Sequence, residues 1–498
     1  MSSQFVPVTP RPADLTGAGV ETYEDLIAAD DVLLFVNAAI TATGQREFHS
    51  GAGEQRMSLD FLHEYLLGNY RELYAAVLAL DINDHNAALM VRKLLVTAGD
   101  ATPGQRALEG RLIARRLSLL PPQRVYRLFS ELRRARVNNR RTRAIVRDWL
   151  AARPDPALDA VKYRGGLKQT LRHAHLAPPR AELGGFLFTT AAKQPGFTEP
   201  LLDAWRRAHY EQAAVYELPY TVAEGFAAKH RIPRDAFLER IAPRLTRLER
   251  LRLQESGAAA DLARMPLTRL ASYVLSLPLT DRQQRRAELT AALTAAARRA
   301  AGPLHGSWGR VAAVLDDSFS SYGSGQKRRR PLAAALACHY LLKALAGEYR
   351  GYWTSGRTDA LLAHPSGPTP LGLRILDALE GAPDRLVIVS DGWDNAPPGL
   401  AAEVLRIWRT RLDPQGRTAV VHLNPVYDAD DFDVRRLAPT VPTAGLRNAE
   451  DLPSLVELAR FAEGRTGLAE LRAHLDARVA AFLGDPLPGE AFPAEEES

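Results

Sequence analysis

Apolar residues recur three and four positions apart through the first part of the chain, up to about Ala301, and this spacing is typical of amphipathic helices. Asp31–Thr43 and Ser58–Leu80 are clear examples. The turns between such segments are short and carry Pro or Gly, and strand-like alternation is absent. The pattern predicts stacked antiparallel helix pairs, an all-α solenoid. The other predicted helices are Asn86–Thr97, Gly104–Leu119, Gln123–Arg136, Arg140–Ala152, Gly166–Leu176, Thr198–Val215 and Arg234–Leu253.

The pattern changes at about His305, where short apolar runs begin to alternate with helical stretches. A near-continuous apolar run is typical of a buried parallel strand. Alternation of such strands with helices predicts a doubly wound α/β domain. Shorter strands are expected at Tyr349–Trp353 and near Thr440. The main runs are Arg310–Leu315, Arg385–Val389 and Arg417–Leu423, and the helical stretches are Pro331–Ala346, Pro370–Leu379 and Pro398–Arg411.

This change divides the chain into a helical region, residues 1–301, and an α/β domain, residues 302–483. Two helices, Leu452–Ala462 and Gly467–Phe482, end the second domain, and a bridge from them back to the N-terminal helices is plausible. The acidic, Pro-containing residues 484–498 are predicted to be disordered. A length of 498 residues with 46% hydrophobic and 24% charged residues suits two domains, each with its own core.

One cysteine, Cys338, excludes a disulfide framework and a Cys-based zinc site, and its apolar surroundings predict a buried, inert thiol. The N-terminus, Met1–Ala18, lacks the pattern of a secretory signal, and no apolar run is long enough for a membrane helix. We therefore expect a soluble, cytoplasmic protein.

Positive charge is concentrated in one stretch of the helical region. Pro103–Arg180 holds 19 Lys or Arg against 5 Asp or Glu, a local net charge of +14 in a chain of net charge +6. This asymmetry favours a surface that binds a polyanion. A solvated helix face in an Arg-rich protein is the alternative, but general composition bias does not remove the acids from the same stretch. The candidate RNA-binding residues chosen from this charge are Arg133, Arg134, Arg136, Arg140, Arg141 and Arg143.

Oxygen-bearing side chains follow the predicted strands of the second domain. Asp316, Ser318 and Ser320 follow the first strand at alternate positions, Thr369 precedes a helix, and Asp391 follows the strand Leu386–Val389. Ligands bind beyond the carboxyl ends of strands in such sheets. Two carboxylates and three hydroxyls are hard ligands that suit Mg²⁺. Each piece alone could be an ordinary turn or helix cap, but three in order favour a metal site.

The set Asp316, Ser318, Ser320, Thr369 and Asp391 resembles the metal-ion-dependent adhesion site of von Willebrand factor A domains, Asp-x-Ser-x-Ser followed by Thr and Asp. The resemblance implies a Mg²⁺ or Mn²⁺ ion that captures an acidic protein ligand, rather than a catalytic metal. Phosphatases of the haloacid-dehalogenase type need a second Asp where Ser318 stands. A serine hydrolase needs a base, and no histidine lies near these motifs except His364, in the loop before Thr369, so a nucleophile, a base and an orienting group cannot all be assigned. A metal-dependent hydrolase is therefore disfavoured.

In the basic stretch, Lys162-Tyr163-Arg164-Gly165-Gly166 leads into a helix that ends in Leu, His, Leu, Ala and Pro178. Helical spacing puts Lys168, Arg172 and His175 on one face. With the domain that follows, this segment resembles the RNA-contacting region of TROVE-module proteins, the Ro ribonucleoprotein autoantigen and its bacterial relatives. The resemblance implies a ring of HEAT-like helical repeats joined to a von Willebrand A domain.

The same resemblance implies a noncatalytic, monomeric protein in an RNA complex. Small structured Y-like RNA would bind the ring, and single-stranded 3′ ends of misfolded RNA would enter its hole. An exoribonuclease such as polynucleotide phosphorylase is the implied partner in bacteria. The positions that match RNA contacts are Lys162, Arg164, Lys168, Arg172 and His175. The alternative from another class is a metal-dependent protein-interaction adaptor whose basic helices do not bind RNA specifically.

Overall fold

The computed structural model describes residues 22–245, 262, 264–453, 455–456 and 467–484. Up to Ala301 all regular structure in the described residues is helical. The predicted lead before residue 22, the end of the helix predicted at Arg234–Leu253, most of Leu452–Ala462 and residues 485–498 of the acidic tail lie outside the described ranges. The helices are α1 (Tyr23–Thr41), α2 (Ala52–Asn69), α3 (Arg71–Ala76), α4 (Asp84–Val96), α5 (Pro103–Leu119), α6 (Pro122–Arg134), α7 (Arg140–Ala151), α8 (Pro156–Lys162), α9 (Arg164–Ala174), α10 (Ala181–Phe188), α11 (Pro200–Arg207), α12 (Tyr220–Lys229), α13 (Arg234–Ile241), α14 (Leu267–Ser276), α15 (Leu279–Gln284) and α16 (Arg286–Ala301).

Local sequence signals set many of these helix boundaries. Thr102 caps α5: its side chain accepts a hydrogen bond from Gln105 N at 3.2 Å, and Gln105 Oε1 accepts one from Thr102 N at 2.8 Å. Pro103 occupies the first turn, where its missing N–H costs nothing. The prediction of a single helix over Ser58–Leu80 is wrong, because the backbone at Tyr70 leaves helical geometry (φ −135°, ψ 51°) and separates α2 from α3.

The second domain is built on a sheet of five strands, β1 (Arg310–Leu315), β2 (Glu348–Trp353), β3 (Arg385–Val389), β4 (Ala419–Asn424) and β7 (Thr443–Gly445). Their order in the sheet is β2-β1-β3-β4-β7. All neighbouring strands in it are parallel, with Val311 paired to Tyr349 on one side and Arg385 on the other. A short antiparallel pair, β5 (Tyr427–Asp428) and β6 (Asp433–Val434), lies outside it. The helices of this domain are α17 (Arg330–Leu345), α18 (Leu371–Glu380), α19 (Leu400–Ile407) and α20 (Leu468–Leu483).

The two faces of the sheet pack in different directions because successive side chains of a strand point to opposite sides. Ala312 and Val314 of β1 face α18 and α19. Val311, Ala313 and Leu315 face α17 and belong to the same core as the helical region. Helix α17 is largely buried between the sheet and helices α14 and α16, and Lys343 near its end is exposed. Cys338 lies inside it, and burial raises the pKa of its thiol, as the prediction of an inert cysteine requires.

Both ends of the helical region rest on the α/β domain. At one end Asn37 of α1 donates to Asp433 Oδ1 at 3.0 Å and accepts from Gly445 N at 2.9 Å. At the other end Thr268 of α14 donates through its hydroxyl to Glu450 Oε2 at 2.6 Å. Arg282 of α15 donates to the carbonyl oxygen of Ala363 at 2.9 Å. The α/β domain therefore joins the first and last helices of the region into a closed arrangement.

Helix α20 returns to the N-terminal helices and packs on α1, α3 and α5. There the Arg116 guanidinium lies 4.8 Å from the centre of the Phe482 ring. The predicted fold class, a helical region followed by a doubly wound α/β domain, is confirmed. Among the helices that the structure describes, none is long and apolar enough to span a bilayer.

Candidate metal centre and basic surfaces

Strands β1 and β3 are neighbours, so their carboxyl ends bring Asp316 and Asp391 to one edge of the sheet. The ladder continues one step past β1, where Asp316 N donates to Val389 O at 3.0 Å. Asp316 Oδ1 accepts from Ser318 N at 2.8 Å, which turns the chain so that Ser318 Oγ and Ser320 Oγ lie 3.2 Å apart. Asp316, Ser318 and Asp391 are all buried. The first and third predicted segments therefore share one small site.

Thr369 belongs to the loop before α18, and this loop is tied to the serine segment. Phe319 N donates to Gly367 O at 3.0 Å, and Thr369 N donates to Asn395 Oδ1 at 2.8 Å. Gly367 has φ +71°, a left-handed conformation that favours glycine. Thr369 is buried. The structure thus joins all three predicted segments at the carboxyl edge of the sheet.

The electrostatics of this edge fit a cation. Burial, and then repulsion from Asp391, raises the pKa of Asp316 to about 7. Two buried carboxylates beside each other are costly unless a positive charge lies between them. Hydroxyl and carboxylate oxygens complete a donor set for Mg²⁺ or Mn²⁺. In the described part of the chain no cluster of three or more His, Cys, Asp or Glu side chains is arranged to hold a metal, so a site here depends on hydroxyls.

The neighbouring aspartate, Asp317, has a different role. Its carboxylate is fully buried and accepts from Thr354 Oγ1 at 3.0 Å, Ser355 Oγ at 2.7 Å and Arg357 Nη1 at 2.8 Å. These bonds fix the loop after β2 under the site. The Asp317 carboxylate is thus held by this loop, whereas the Asp316 carboxylate is the one that Asp391 repels.

A serine and a histidine also meet here, a pair that the sequence did not suggest. Ser390 Oγ lies 3.0 Å from His422 Nε2. Both side chains are buried within the sheet, and burial lowers the pKa of His422 to about 4. His364, the histidine considered from the sequence, instead contacts Arg357 through Nε2 at 3.2 Å. The Ser390–His422 pair is enclosed and offers substrate no open nucleophile.

The segment between α1 and α2 covers the site from the helical region. Ser324 Oγ donates to Arg46 O at 2.6 Å, and Glu47 forms a buried ion pair with Lys327. His49 Nε2 lies 3.6 Å from Asp391 Oδ2. Nothing in the local sequence marks this loop, because its partners lie in the α/β domain.

The predicted basic surface is present at the turn between α6 and α7. Its arginines are exposed, and Arg136 forms the turn itself with φ +57°. None of them forms an ion pair with an acid in the described part of the chain. This set, the α6–α7 arginines, comprises Arg133, Arg134, Arg136, Arg140 and Arg143.

Arg141, predicted with them, has different contacts. Its guanidinium donates to Glu109 Oε2 at 3.2 and 3.3 Å and to Arg106 O at 3.0 Å. Glu109 is 2% exposed and also accepts from Arg71 Nε at 2.7 Å. Arg141 therefore holds α7 against α5.

The segment that resembles the TROVE module forms α8 and α9. Arg164 lies against the rings of Phe186 and Trp205, at 5.1 and 5.0 Å, and donates to Phe186 O at 2.8 Å, so its contacts are internal. A Cβ on Gly166 would lie 3.0 Å from Tyr126, so close packing requires a small residue there.

The remaining basic residues of this segment reach solvent. Lys168 and Arg172 lie beside the Phe188 ring, at 5.7 and 5.3 Å, and Lys162 is half-buried. His175 is exposed in the left-handed position that ends α9. Lys168, Arg172 and His175 are therefore available to a ligand.

A basic cavity of about 720 Å³ lies where both ends of the helical region meet the α/β domain. Its wall includes one acid, Asp84, and one histidine, His85, beside six arginines. The sequence did not reveal it, because the arginines come from well-separated segments. They are Arg56, Arg124, Arg127, Arg269, Arg330 and Arg447.

A similarity to a known protein is found at the level of the fold. No family model matches the sequence, and no curated protein matches it. Among solved structures, the crystal structure of the Deinococcus radiodurans Ro (RSR) protein has a similar fold, with a TM-score of 0.50 and 16% sequence identity. The match covers 88% of this chain and 100% of that chain. The fold of this chain is therefore that of a bacterial Ro protein.

Proposed function

We propose that this chain is a noncatalytic, Ro-type RNA-binding protein that holds small structured Y-like RNA and the single-stranded ends of misfolded RNA, as a scaffold in RNA quality control. The observation that carries the proposal is the arginine-lined cavity of about 720 Å³, with the α6–α7 arginines exposed on the same helical region. The shared Ro fold and the resemblance of Lys162–Pro178 to the TROVE module support the same conclusion.

The structure favours phosphate contacts over base stacking. The aromatic residues of α6 and α7, Tyr126, Phe129 and Trp149, are buried and pack on one another. Arginine guanidinium groups bind phosphate with two hydrogen bonds. Binding should therefore depend steeply on salt, with about one unit of log-log slope for each phosphate neutralised.

A gel-shift series tests the two basic surfaces separately. One probe is a hairpin RNA with a single-stranded 3′ tail, and the other is the same hairpin without the tail. We expect loss of the surface arginines to weaken both probes by roughly 10–100-fold and to lower the salt slope by two to three units. Loss of the cavity arginines should weaken only the tailed probe, by roughly tenfold. The surface variant is Arg134→Gln, Arg136→Gln, Arg140→Gln; the cavity variant is Arg124→Gln, Arg269→Gln.

The matched control removes exposed charges elsewhere, with Arg298→Gln, Lys343→Gln and Arg411→Gln, and should bind both probes like the parent protein. Weak, salt-insensitive binding that is equal in all variants would overturn the RNA proposal. That outcome would favour the adaptor that binds a protein partner without specific RNA.

We further propose that Asp316, Ser318, Ser320, Thr369 and Asp391 hold Mg²⁺ or Mn²⁺. The buried, mutually repelling carboxylates and the paired serine hydroxyls support this. When bound, the ion would present a Lewis-acidic position to an acidic side chain of a protein partner, for which an exoribonuclease such as polynucleotide phosphorylase is the candidate from the family resemblance.

Asp316→Ala is expected to weaken Mn²⁺ and Mg²⁺ binding by roughly 100-fold or more, since loss of even an outer-shell partner costs 10–100-fold. Isothermal titration calorimetry measures this, with Asp100→Ala, an exposed carboxylate elsewhere, as control. RNA affinity should stay unchanged, and its collapse in a folded variant would contradict separate RNA and metal sites.

A further inference from the structure

Helix α2 carries a row of large apolar side chains on its solvent side. Residues four positions apart lie on one face of a helix, and Met57, Phe61 and Tyr65 follow that spacing. They are 73%, 56% and 37% exposed. Single exposed apolar residues are common on protein surfaces, whereas a contiguous exposed patch marks a binding surface.

Ring contacts join this row to the turn between β5 and β6. The Phe61 ring lies 6.0 Å from the Tyr65 ring at an interplanar angle of 19°, and 5.4 Å from the Phe432 ring at 64°. Phe432 is 36% exposed and has φ +56°, a backbone conformation that is unfavourable for a bulky side chain. Residues of both domains therefore form one exposed surface, the aromatic patch, which comprises Met57, Phe61, Tyr65 and Phe432.

Acidic residues lie around the aromatic patch. Asp30 and Asp31 belong to α1, and Asp31 Oδ2 accepts a hydrogen bond from the Tyr65 hydroxyl at 2.7 Å, which fixes the tyrosine ring. Asp430 and Asp431 are exposed in the β5–β6 turn. Partial burial raises the pKa of Asp31, so a cation placed beside its carboxylate would be stabilising. These four aspartates are the acidic rim of the patch.

The two arginines that follow β6 do not neutralise this rim. Arg435 Nη1 is shared between carboxylate oxygens of Asp428 and Asp431, at 3.9 Å from each. Arg436 Nη2 lies 3.3 Å from Oδ2 of the buried Asp433. The surface thus keeps a negative charge, opposite in sign to the α6–α7 arginines. A negative rim repels phosphate, so neither RNA nor an anionic membrane is a suitable ligand here.

We propose that the aromatic patch and its acidic rim dock a basic amphipathic helix of a protein partner. The partner helix would cover the exposed rings with leucine-type side chains and pair its lysines or arginines with the rim. Aromatic residues and methionine are enriched at protein interfaces, and charges of opposite sign fix the orientation of the partner. From Met57 to Tyr65 the row is about 12 Å long, the length of two helical turns. This surface is separate from the RNA-binding surfaces and from the metal site proposed above.

The test uses the full-length protein and two fluorescein-labelled amphipathic peptides of about 15 residues, long enough to form a helix on binding. One peptide contains Leu and Lys, and the other has the same leucine positions with Glu in place of Lys. Fluorescence anisotropy measures their affinities. We expect the Leu/Lys peptide to bind the parent protein at least roughly tenfold more tightly than the Leu/Glu peptide.

Variants of the patch locate the binding. Phe61→Ser with Phe432→Ser should weaken Leu/Lys binding by roughly tenfold or more, because it removes the central apolar contacts. Asp430→Asn with Asp431→Asn should weaken it less and should flatten its salt dependence.

The matched control, Leu119→Ser with Leu412→Ser, changes apolar residues that are 53% and 60% exposed elsewhere, and it should bind like the parent. Met57→Ser, at a position 73% exposed, should also weaken binding, and it locates the site even where the double aromatic variant fails to fold.

Three outcomes would overturn the proposal. The first is a parent protein that does not distinguish the two peptides, or that binds the Leu/Lys peptide no better than the patch variants do. The second is self-association of the parent in sedimentation velocity that Phe61→Ser abolishes, because a second copy would then occupy the patch. The third is an equal loss of affinity for the tailed hairpin RNA in the patch variants, because the surface would then belong to the RNA site.

Discussion

Replacing Glu47 with alanine is expected to lower the free energy of unfolding by about 3–5 kcal/mol, because it leaves the Lys327 ammonium buried without its partner. Glu47 is 1% exposed and Lys327 5% exposed. The two residues join the α1–α2 segment to the α/β domain. Urea denaturation followed by circular dichroism measures the loss. Glu348→Ala, which removes an exposed pair with Arg350, should change stability by less than about 0.5 kcal/mol.

Two further measurements identify the unpaired charge as the cause. The double variant Glu47→Met, Lys327→Met should recover most of the loss, because apolar replacement of a buried pair is often neutral. Burial lowers the pKa of Lys327 to about 8 from 10.5, so the folded protein gains stability as pH rises from about 8 toward 10.5. Loss of Glu47 removes an attraction that raises this pKa, so Lys327 loses its proton at a lower pH in the variant than in the parent. The deficit of Glu47→Ala should therefore shrink as pH rises toward about 8 and stay constant above it. A deficit that is independent of pH would contradict this explanation.

Glu109→Ala is expected to lower the free energy of unfolding by a similar amount, about 3–5 kcal/mol, because it leaves two guanidinium groups without their carboxylate partner. Glu109 accepts from Arg71 and Arg141, which are 12% and 20% exposed in their side chains. The loss is again measured by urea denaturation. An exposed carboxylate in the same region, Asp100, provides the control, and its alanine variant should unfold like the parent.

The same cluster separates structural arginines from RNA-binding ones. Arg141→Gln should reduce stability while changing RNA affinity less than twofold. Arg140→Gln, at the exposed position next to it, should show the reverse. Equal loss of RNA affinity in the two variants would mean that Arg141 contacts RNA in spite of its bonds to Glu109.

For these arginines, the sequence predicts the charge of the surface but not the contacts of each side chain. The local charge of Pro103–Arg180 indicates that a basic surface exists, but it does not say which arginines are paired. Arg141 and Glu109 are 32 positions apart, and helix packing alone brings them together. The cavity arginines are still more scattered, from Arg56 to Arg447, so no window along the chain contains them.

The α/β domain was easier to predict because its signals are local. The apolar run of β1 and the following Asp316, Ser318 and Ser320 are continuous in sequence, and buried parallel strands need that composition. The helices of the first region were also recognisable, but the apolar periodicity hid the break at Tyr70, which directly follows Gly68 and Asn69. His49 lies 342 positions from Asp391, and only the closure of the chain puts it beside the candidate metal site.

The contact of α1 with β7 determines how the sheet ends. Strand β7 is an edge strand, and an uncovered edge offers unpaired N–H and C=O groups to strands of other molecules. Here α1 lies over it, and Asn37 accepts the hydrogen bond of Gly445 N. The opposite edge, β2, is protected by the exposed charges of Glu348 and Arg350. The sheet is thus completed by a helix from the far end of the chain, and a fragment beginning after Ala301 would present its bare β7 edge to other copies and aggregate.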